Sequence, residues 1–307
     1  MTLLGLDLGG SHATCSLIHE KSVIAEEHLA FADTGRFAAV EPEIRQVLLR
    51  LAKSSPAPLA GLGIGFAGLA DSRSNRVIST NGKYEDAPSF DFNVWAQRTL
   101  GIPARIENDA RLALRGEMYA GAAQGASDVV MFTLGTGIGG VVAMAGKPFL
   151  GTRGQAGVLA GHLAVRENGR PCTCGGVGCA EAEAGGWALP AICREWPGFE
   201  GSALVQHPLN FKSLFDLAAA GDQIAGEVLD HCVKIWSMMT ASAVQIFDPD
   251  MIVFGGGVME SADRILPQIR SHVERHTWTR WKNPIVKAAL GNKAAALGVP
   301  TLFQEGA

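Results

Sequence analysis

A plan of strand, glycine-rich turn and returning strand occurs twice in this chain, and it constrains the fold more than any other feature. In the first copy the apolar run Leu3–Leu8 reaches Gly9-Gly10, and His12–Ile18 returns. In the second copy Val129–Leu134 reaches a stretch rich in glycine, and Val141–Ala145 returns. A glycine turn that leads straight into a strand predicts a β-hairpin, whereas the glycine loops of dinucleotide-binding folds open a helix. The repeat therefore indicates an internal duplication and two lobes.

Alternating strand and helix signals place the chain in the α/β class. Apolar residues recur at helical spacing over Val40–Ala52, and Leu214–Phe247 is expected to be mainly helical. The short strand Arg105–Glu107 is followed by a predicted helix over Asp109–Tyr119. Further strands are predicted over Ser22–Phe31, Leu62–Ala67 and Met251–Phe254, and a last helix near Ala294–Phe303.

The chain of 307 residues is long enough for two lobes that each bury a core. We expect the last helix to pack on the first lobe. The predicted division is a small N-terminal lobe of residues 1–108 plus the C-terminal helix at about 294–307, and a large lobe of residues 109–293.

Composition and charge exclude several classes of protein. The net charge is −4 and no basic run occurs, so nucleic acid is not an expected partner. No cationic segment precedes an apolar run at the N-terminus, which argues against secretion. The uncharged stretch Val129–Gly146 is interrupted by glycines and does not predict a membrane span. These features predict a cytoplasmic protein, in which Cys15, Cys193 and Cys232 are reduced core thiols.

A histidine and three closely spaced cysteines predict a metal site. Cys172, Cys174 and Cys179 lie within eight residues, interleaved with glycines, and His162 lies ten positions before the first of them. One histidine and three cysteines form the ligand set of a closed, tetrahedral structural zinc site. The alternatives are ordinary buried thiols or a disulfide. The spacing favours zinc.

The same stretch resembles the zinc-containing motif of the ROK family of sugar kinases, named for repressors, open reading frames and kinases. In that family Gly-His is followed by Cys-x-Cys-Gly-x-x-Gly-Cys-x-Glu, and Cys172–Glu181 matches this pattern. The resemblance extends from Asp7 to Gly257. It implies a two-lobed actin-like ATPase (ribonuclease H-like) fold with a nucleotide cleft between the lobes. It also implies ATP with Mg²⁺ as cofactor, a sugar as substrate and a homodimer.

Three glycine clusters are candidates for binding ATP. Asp7, in an otherwise apolar strand, caps the following turn or holds hydrated magnesium beside phosphates. The family's matching segment is Asp-x-Gly-Gly-Thr, so Ser11 keeps the hydroxyl. The second cluster resembles the family's second phosphate loop, and the third is expected against the adenosine. The ATP-binding residues implied are Asp7, Gly9, Gly10, Ser11, Thr133, Gly135, Thr136, Gly137, Gly255, Gly256 and Gly257.

Asn108-Asp109 marks either a helix N-cap or a catalytic base. Asn and Asp are both favoured at N-caps, and the residues alone leave the two interpretations open. ROK kinases carry Asn-Asp-Ala here, which makes Asp109 the expected general base and Asn108 a ligand of a neighbouring sugar hydroxyl. The resemblance also assigns His162 and Glu181 to the sugar. Whether His162 binds zinc, the sugar or both stays open, and Glu181 could equally face solvent.

Leu159 departs from the family pattern. Most ROK sugar kinases have Glu-x-Gly-His, whereas Leu159 stands three residues before His162 and no carboxylate is adjacent. The motifs together predict an ATP-dependent hexose kinase that phosphorylates the 6-hydroxyl of glucose or of a related or N-acylated hexose. Because of Leu159, they do not predict specificity for glucose. The alternative is a sugar-sensing regulator of the same fold with little or no kinase activity.

Overall fold

A computed structural model of the chain describes residues 1–80 and 82–304, which fall into two units. Unit 1 comprises Met1–Gly125, Lys147–Val158 and the C-terminal segment from Ala289. Unit 2 comprises Ala126–Gly146 and Leu159–Ala288. Among the described residues, no helix is both long and apolar enough to cross a bilayer.

The strands are short and mostly buried. They are β1 Thr2–Leu8, β2 His12–His19, β3 Ser22–Ala30, β4 Leu59–Phe66, β5 Leu69–Asp71, β6 Arg76–Ser79, β7 Ala104–Asn108, β8 Val129–Leu134, β9 Ile138–Met144, β10 Lys147–Pro148, β11 Met251–Gly255 and β12 Ile285–Lys287.

The α-helices range from one turn to seven. They are α1 Phe37–Lys53, α2 Phe92–Leu100, α3 Asp109–Ala120, α4 Ala180–Ala184, α5 Leu189–Arg194, α6 Phe211–Ala219, α7 Gln223–Phe247, α8 Ala262–His276 and α9 Ala294–Gln304.

Unit 1 is built on a sheet with strand order β3-β2-β1-β4-β7. The first hairpin is confirmed, because β1 pairs antiparallel with β2, and β4 and β7 then continue the sheet in parallel. Its core gathers the buried faces of β1, β4 and α1, and α1 contributes Val40, Ile44, Val47 and Leu51 at helical spacing. Since β1, β4 and β7 are parallel, their carboxyl ends, which carry Asp7 and Asn108, lie at the same edge.

Unit 2 repeats this plan. The second hairpin is also confirmed, since β8 pairs antiparallel with β9, and β11 and β12 extend the sheet in parallel. The region predicted to be mainly helical forms α6 and α7, which are separated at Gly221, where φ is +93°. Asp222 caps α7 by accepting a hydrogen bond from the Ala225 amide. Trp236 and Met239 on α7 are fully buried in this core, whereas Met238 is exposed.

The division between the units differs from the predicted one at residue 108. Helix α3 belongs to unit 1 because it packs closely against α9. A Cβ on Gly116 would lie 1.9 Å from the Ala294 carbonyl oxygen, and one on Gly298 would lie 2.0 Å from that of Leu112. Only glycine permits helices to approach so closely. The predicted docking of the last helix on the first lobe is consistent with this packing.

Candidate functional site

Two carboxyl groups, Asp7 and Asp109, occupy the edge of the unit 1 sheet. Asp7 lies near the end of β1, and Asp109 begins α3 directly after β7. Gly65 on β4 lies between them: a Cβ there would be 3.1 Å from Asp7 Oδ1 and 3.7 Å from the Asp109 Cα. The missing side chain leaves room for both carboxyl groups. Nothing in the local sequence around Gly65 pointed to this role.

The environment of both carboxyl groups disfavours their charged forms. Burial, together with the negative charges of Asp109 and Glu26, raises the pKa of Asp7 to about 7. Burial also raises the pKa of Asp109, to about 6, although hydrogen bonds from the Ala110 amide and from Asn108 oppose the shift. Paired carboxyl groups with perturbed pKa values are typical of sites that bind cations or transfer protons.

Asn108 orients Asp109 and caps the helix. Its side-chain oxygen accepts a hydrogen bond from the Arg111 amide at 3.1 Å, and its Nδ2 donates to Gly68 O at 3.0 Å and to Asp109 Oδ1 at 2.8 Å. The N-cap interpretation of Asn108 is thus confirmed. The Ala110 amide also donates to Asp109 Oδ1, at 2.8 Å. The Asn108 side chain and the Ala110 backbone amide thus both donate to the same oxygen of Asp109, Oδ1.

The first glycine turn, Gly9-Gly10-Ser11, is supported by residues that the sequence did not reveal. Tyr84 donates from its hydroxyl to Gly9 O at 3.0 Å. Thr34 donates to Gly10 O at 3.0 Å, and Lys83 donates to the same oxygen. The carbonyl groups of the turn are thereby engaged on one side, and Ser11 is exposed. Lys83 adds a positive charge next to this turn.

In unit 2 the carboxylate of Glu181 binds the second glycine loop. Glu181 Oε2 accepts a hydrogen bond from the Ile138 amide at 2.8 Å, and Oε1 accepts one from Trp187 Nε1 at 3.1 Å. The Trp187 amide in turn donates to Thr136 O at 2.8 Å. A Cβ on Gly137 would lie 2.5 Å from Glu181 Oε2, so a larger residue there would displace this carboxylate. The solvent-facing alternative for Glu181 does not hold, and its carboxylate positions the loop.

The third glycine cluster packs against the strand that leads into the second loop. Gly256 has φ of +88°, and a Cβ on it would lie 2.2 Å from Leu134 O. By contrast, a Cβ on Gly135 or Gly257 would meet no atom within 4 Å, and neither residue needs a positive φ. Packing explains Gly256. It does not explain Gly135 or Gly257, whose bare backbone is suited to close approach by a ligand.

The histidine and three cysteines converge as a tetrahedral zinc site requires. The donor atoms of His162, Cys172, Cys174 and Cys179 all lie within 4.8 Å of one another. Cys172 Sγ is 3.5 Å from His162 Nδ1, and Cys174 Sγ is 3.7 Å from Cys179 Sγ. Zn–S bonds of about 2.3 Å at tetrahedral angles separate two sulfurs by roughly 3.7 Å. All six cysteines are free, so the disulfide alternative does not hold.

Two further contacts join this cluster to its surroundings in unit 2. The fully buried Glu183 accepts hydrogen bonds from the Arg170 amide at 2.6 Å and from Arg166 Nη1 at 3.4 Å, which fixes the segment that leads to Cys172. Next to His162, a Cβ on Gly161 would lie 2.0 Å from Ile138 O. The residue next to His162 therefore packs directly against the end of the second glycine loop. Leu159, three residues before His162, is 45% exposed.

Comparison with known proteins decides the family. The model of the ROK family matches residues 3–306. The chain belongs to the ROK family. It is similar to a glucokinase of Thermotoga maritima, with 29% identity over 99% of this chain and 98% of that protein. It is also similar to a xylose repressor of Bacillus spizizenii, with 25% identity over 98% of this chain and 77% of that protein.

Among solved structures, a ROK hexokinase from Thermus thermophilus is similar over the full length of both chains, with 29% identity and a TM-score of 0.83. The actin-like ATPase fold that the motifs implied is thereby confirmed. Each unit of this ROK protein carries one of the two hairpins of the duplicated core.

Proposed function

We propose that this ROK protein is an ATP-dependent hexose kinase that transfers the γ-phosphoryl group of ATP to a sugar 6-hydroxyl, with Asp109 as general base. Glucokinases and a hexokinase are among its relatives. The observation that carries the assignment is the carboxyl group of Asp109, held at the N-terminus of α3 with its pKa raised to about 6. A base with a pKa near the working pH is suited to accepting a proton from an alcohol.

The reaction balances in atoms and charge with ATP and the sugar as the only reactants. The sugar oxygen attacks the γ-phosphorus, the bond to the β-phosphate oxygen breaks, and ADP leaves with that oxygen. The hydroxyl proton passes to Asp109 Oδ2, because Oδ1 is held by Asn108 and the Ala110 amide. Positioning and charge stabilisation supply most of the acceleration in such reactions.

The chemistry of the glycine turns fits the phosphates and their metal ion. The Asp7 carboxyl group has two acidic neighbours, Asp109 and Glu26, which help to raise its pKa. A bound cation would lower this pKa and stabilise the charged form. We infer that Asp7 would hold a hydrated magnesium ion. When bound, magnesium would neutralise charge on the phosphates. Ser11, Lys83 and the amides of Gly9 and Gly10 would bind phosphate oxygens, as would the loop at Thr133–Gly137. Gly255–Gly257 is assigned to the nucleoside.

The cluster of His162 and the three cysteines is proposed to hold structural zinc. The donor set and its spacing fit this metal. His162 binds through Nδ1, so the sugar contact proposed for it would come from the remainder of the ring. Glu181 is proposed to accept hydrogen bonds from sugar hydroxyls with the lone pairs that the Ile138 amide and Trp187 leave free. A cytoplasmic location stays a prediction from the sequence composition, and a homodimer stays a prediction from the resemblance.

A sugar-sensing regulator is the second candidate, because a xylose repressor is among the relatives. A coupled ADP-release assay with ATP, Mg²⁺ and a panel of hexoses separates the two. We expect turnover with at least one hexose, and the corresponding sugar phosphate as product. Sugar binding without ADP release for any hexose in the panel would favour the regulator.

A further inference from the structure

Trp187 in unit 2 is exposed and yet held in place by two hydrogen bonds. It is 39% exposed, whereas Trp236 is fully buried in the core of the same unit. The Trp187 backbone amide donates to Thr136 O at 2.8 Å, and its Nε1 donates to Glu181 Oε1 at 3.1 Å. Core packing accounts for Trp236. Hydrogen bonds at the surface, next to the second glycine loop, fix the position of Trp187.

The carboxylate that Trp187 binds is the one proposed to accept hydrogen bonds from sugar hydroxyls. An ionised carboxylate has about four lone-pair positions. The Ile138 amide donates to Oε2 of Glu181, and Trp187 Nε1 donates to Oε1. Each oxygen accepts one of these two hydrogen bonds and can accept another from a ligand. Glu181 is partly exposed, so a ligand from solvent can reach it.

His162, the other residue assigned to the sugar, lies in the same part of unit 2. The Ala180 amide donates to Leu163 O at 2.9 Å, which joins the residue before Glu181 to the residue after His162. His162 is also partly exposed. Contacts within this unit therefore bring an exposed aromatic ring, a carboxylate and an imidazole into one region of the surface.

The exposed part of the Trp187 side chain is apolar. Tryptophan has a single side-chain donor, Nε1, and Glu181 already accepts from it. The rest of the indole is a flat apolar surface. A hexose in its ring form has matching chemistry, because its hydroxyls point outward while C–H groups cover part of each face. Binding sites for small molecules combine a few placed polar groups with aromatic surface in this way.

We propose that Trp187 is a further sugar-binding residue, whose exposed indole face contacts the C–H face of the hexose that Glu181 binds through its hydroxyls. This inference rests on the proposed function and names a contact of the same site. The ring is already ordered by its hydrogen bonds, so it loses little freedom when the sugar binds. Since Leu159 supplies no carboxylate, an apolar contact from Trp187 would provide part of the affinity that other family members draw from their glutamate.

The test is isothermal titration of the whole protein with glucose, mannose, allose and N-acetylmannosamine, without nucleotide. The variants are then titrated with the sugar that binds the wild type most tightly. Trp187→Ala should weaken its Kd about tenfold, because the apolar contact is lost. Trp187→Phe keeps an aromatic face but has no N–H, and its Kd should stay within about threefold of the wild type. A Phe variant as weak as the Ala variant would overturn the proposal, because Trp187 would then act only by orienting Glu181.

Two controls separate sugar contact from general damage. Trp278→Ala removes a tryptophan that is 94% exposed elsewhere in unit 2, and it should leave the Kd for the sugar unchanged. The Kd for ATP with Mg²⁺ should also be unchanged in Trp187→Ala, since the backbone amide that binds Thr136 O remains. A loss of ATP affinity larger than the loss of sugar affinity would assign the ring to the nucleotide and contradict the proposal.

Failure of this contact can be told apart from failure of the proposed function. A wild type that binds none of the four sugars and releases no ADP with them would overturn both. A wild type that binds one of them, together with a Trp187→Ala variant that binds it equally tightly, would overturn the contact alone.

Discussion

At the scale of single residues, the charged forms of the two partly buried carboxyl groups of unit 1 lower the stability of the fold. The pKa of Asp7 rises from 3.8 to about 7. Between these values the folded protein binds more protons than the unfolded chain, so its stability falls as the pH rises through this window. The charged form that the proposed magnesium ion would need is thus the form that destabilises the metal-free protein.

Asp7→Asn should therefore raise the thermal stability of the metal-free protein at pH 8, by an amount on the order of 1–3 kcal/mol, because the amide mimics the protonated acid. At pH 4 the variant and the wild type should differ little. The kinase activity of the variant should be largely lost. Thermal unfolding at the two pH values checks the result, and a variant less stable than the wild type at pH 8 would refute it.

Leu159 is the residue at which substrate choice is expected to depart from the family. Its exposed side chain suits an apolar or N-acyl group, and glucose should be a poor substrate, with a KM above about 1 mM. Leu159→Glu should improve kcat/KM for glucose about tenfold, since a charged hydrogen bond contributes about 1.5–3 kcal/mol. Kinetics of the wild type and this variant decide the matter. Efficient glucose phosphorylation by the wild type, or lower activity of the variant with every sugar, would contradict the prediction.

At the scale of elements, the hairpins and the helix after Asn108 could be predicted because their signals are local. The contact of Glu181 with the second loop could not, since it joins the Ile138 amide to a residue 43 positions away. The division between the units also depends on contacts between residues that are distant in sequence. Gly116 and Gly298 allow α3 to pack on α9. The only sign of this packing in the sequence was the presence of glycines inside predicted helices.

Gly135 in the second glycine cluster and Gly256 in the third should respond differently to an added methyl group. Gly256→Ala should destabilise the fold by at least about 1 kcal/mol, because its φ is positive and Leu134 O blocks a Cβ. Gly135→Ala should leave stability unchanged, because a Cβ there would meet no protein atom. It should raise the KM for ATP several-fold, because the added methyl group would occupy space proposed for the bound nucleotide. Thermal unfolding and ATP kinetics of both variants test this. An unchanged KM for ATP in Gly135→Ala would remove that residue from the nucleotide site.

Zinc removal should reach the second glycine loop through the contacts of Gly161 and Glu181. Cys174→Ser or chelation is expected to lower the melting temperature and to raise the KM for both sugar and ATP. Cys193→Ser, which changes a buried thiol outside the cluster, is the matched control and should not change metal content. Elemental analysis of protein purified without chelator gives the zinc content. Absence of metal in that preparation would contradict the assignment.

At the scale of the whole molecule, the order of the motifs along the chain was enough to predict the family and its fold. The first two glycine turns mark the two hairpins of the duplicated core. The electrostatics of the site could not be predicted in this way. The raised pKa values depend on burial by β1, β4 and β7 and on the space left by Gly65, and these strands are far apart in sequence.

The central claim is that this protein phosphorylates a hexose with Asp109 as base, and the turnover of Asp109→Asn tests it most directly. ADP release is measured for the wild type and the variant with the best hexose substrate, alongside sugar affinity and thermal unfolding. The account predicts a folded variant that still binds sugar and has a kcat reduced by on the order of a thousandfold, since a general base contributes about 10²–10⁴. A folded variant with a kcat like that of the wild type would contradict it.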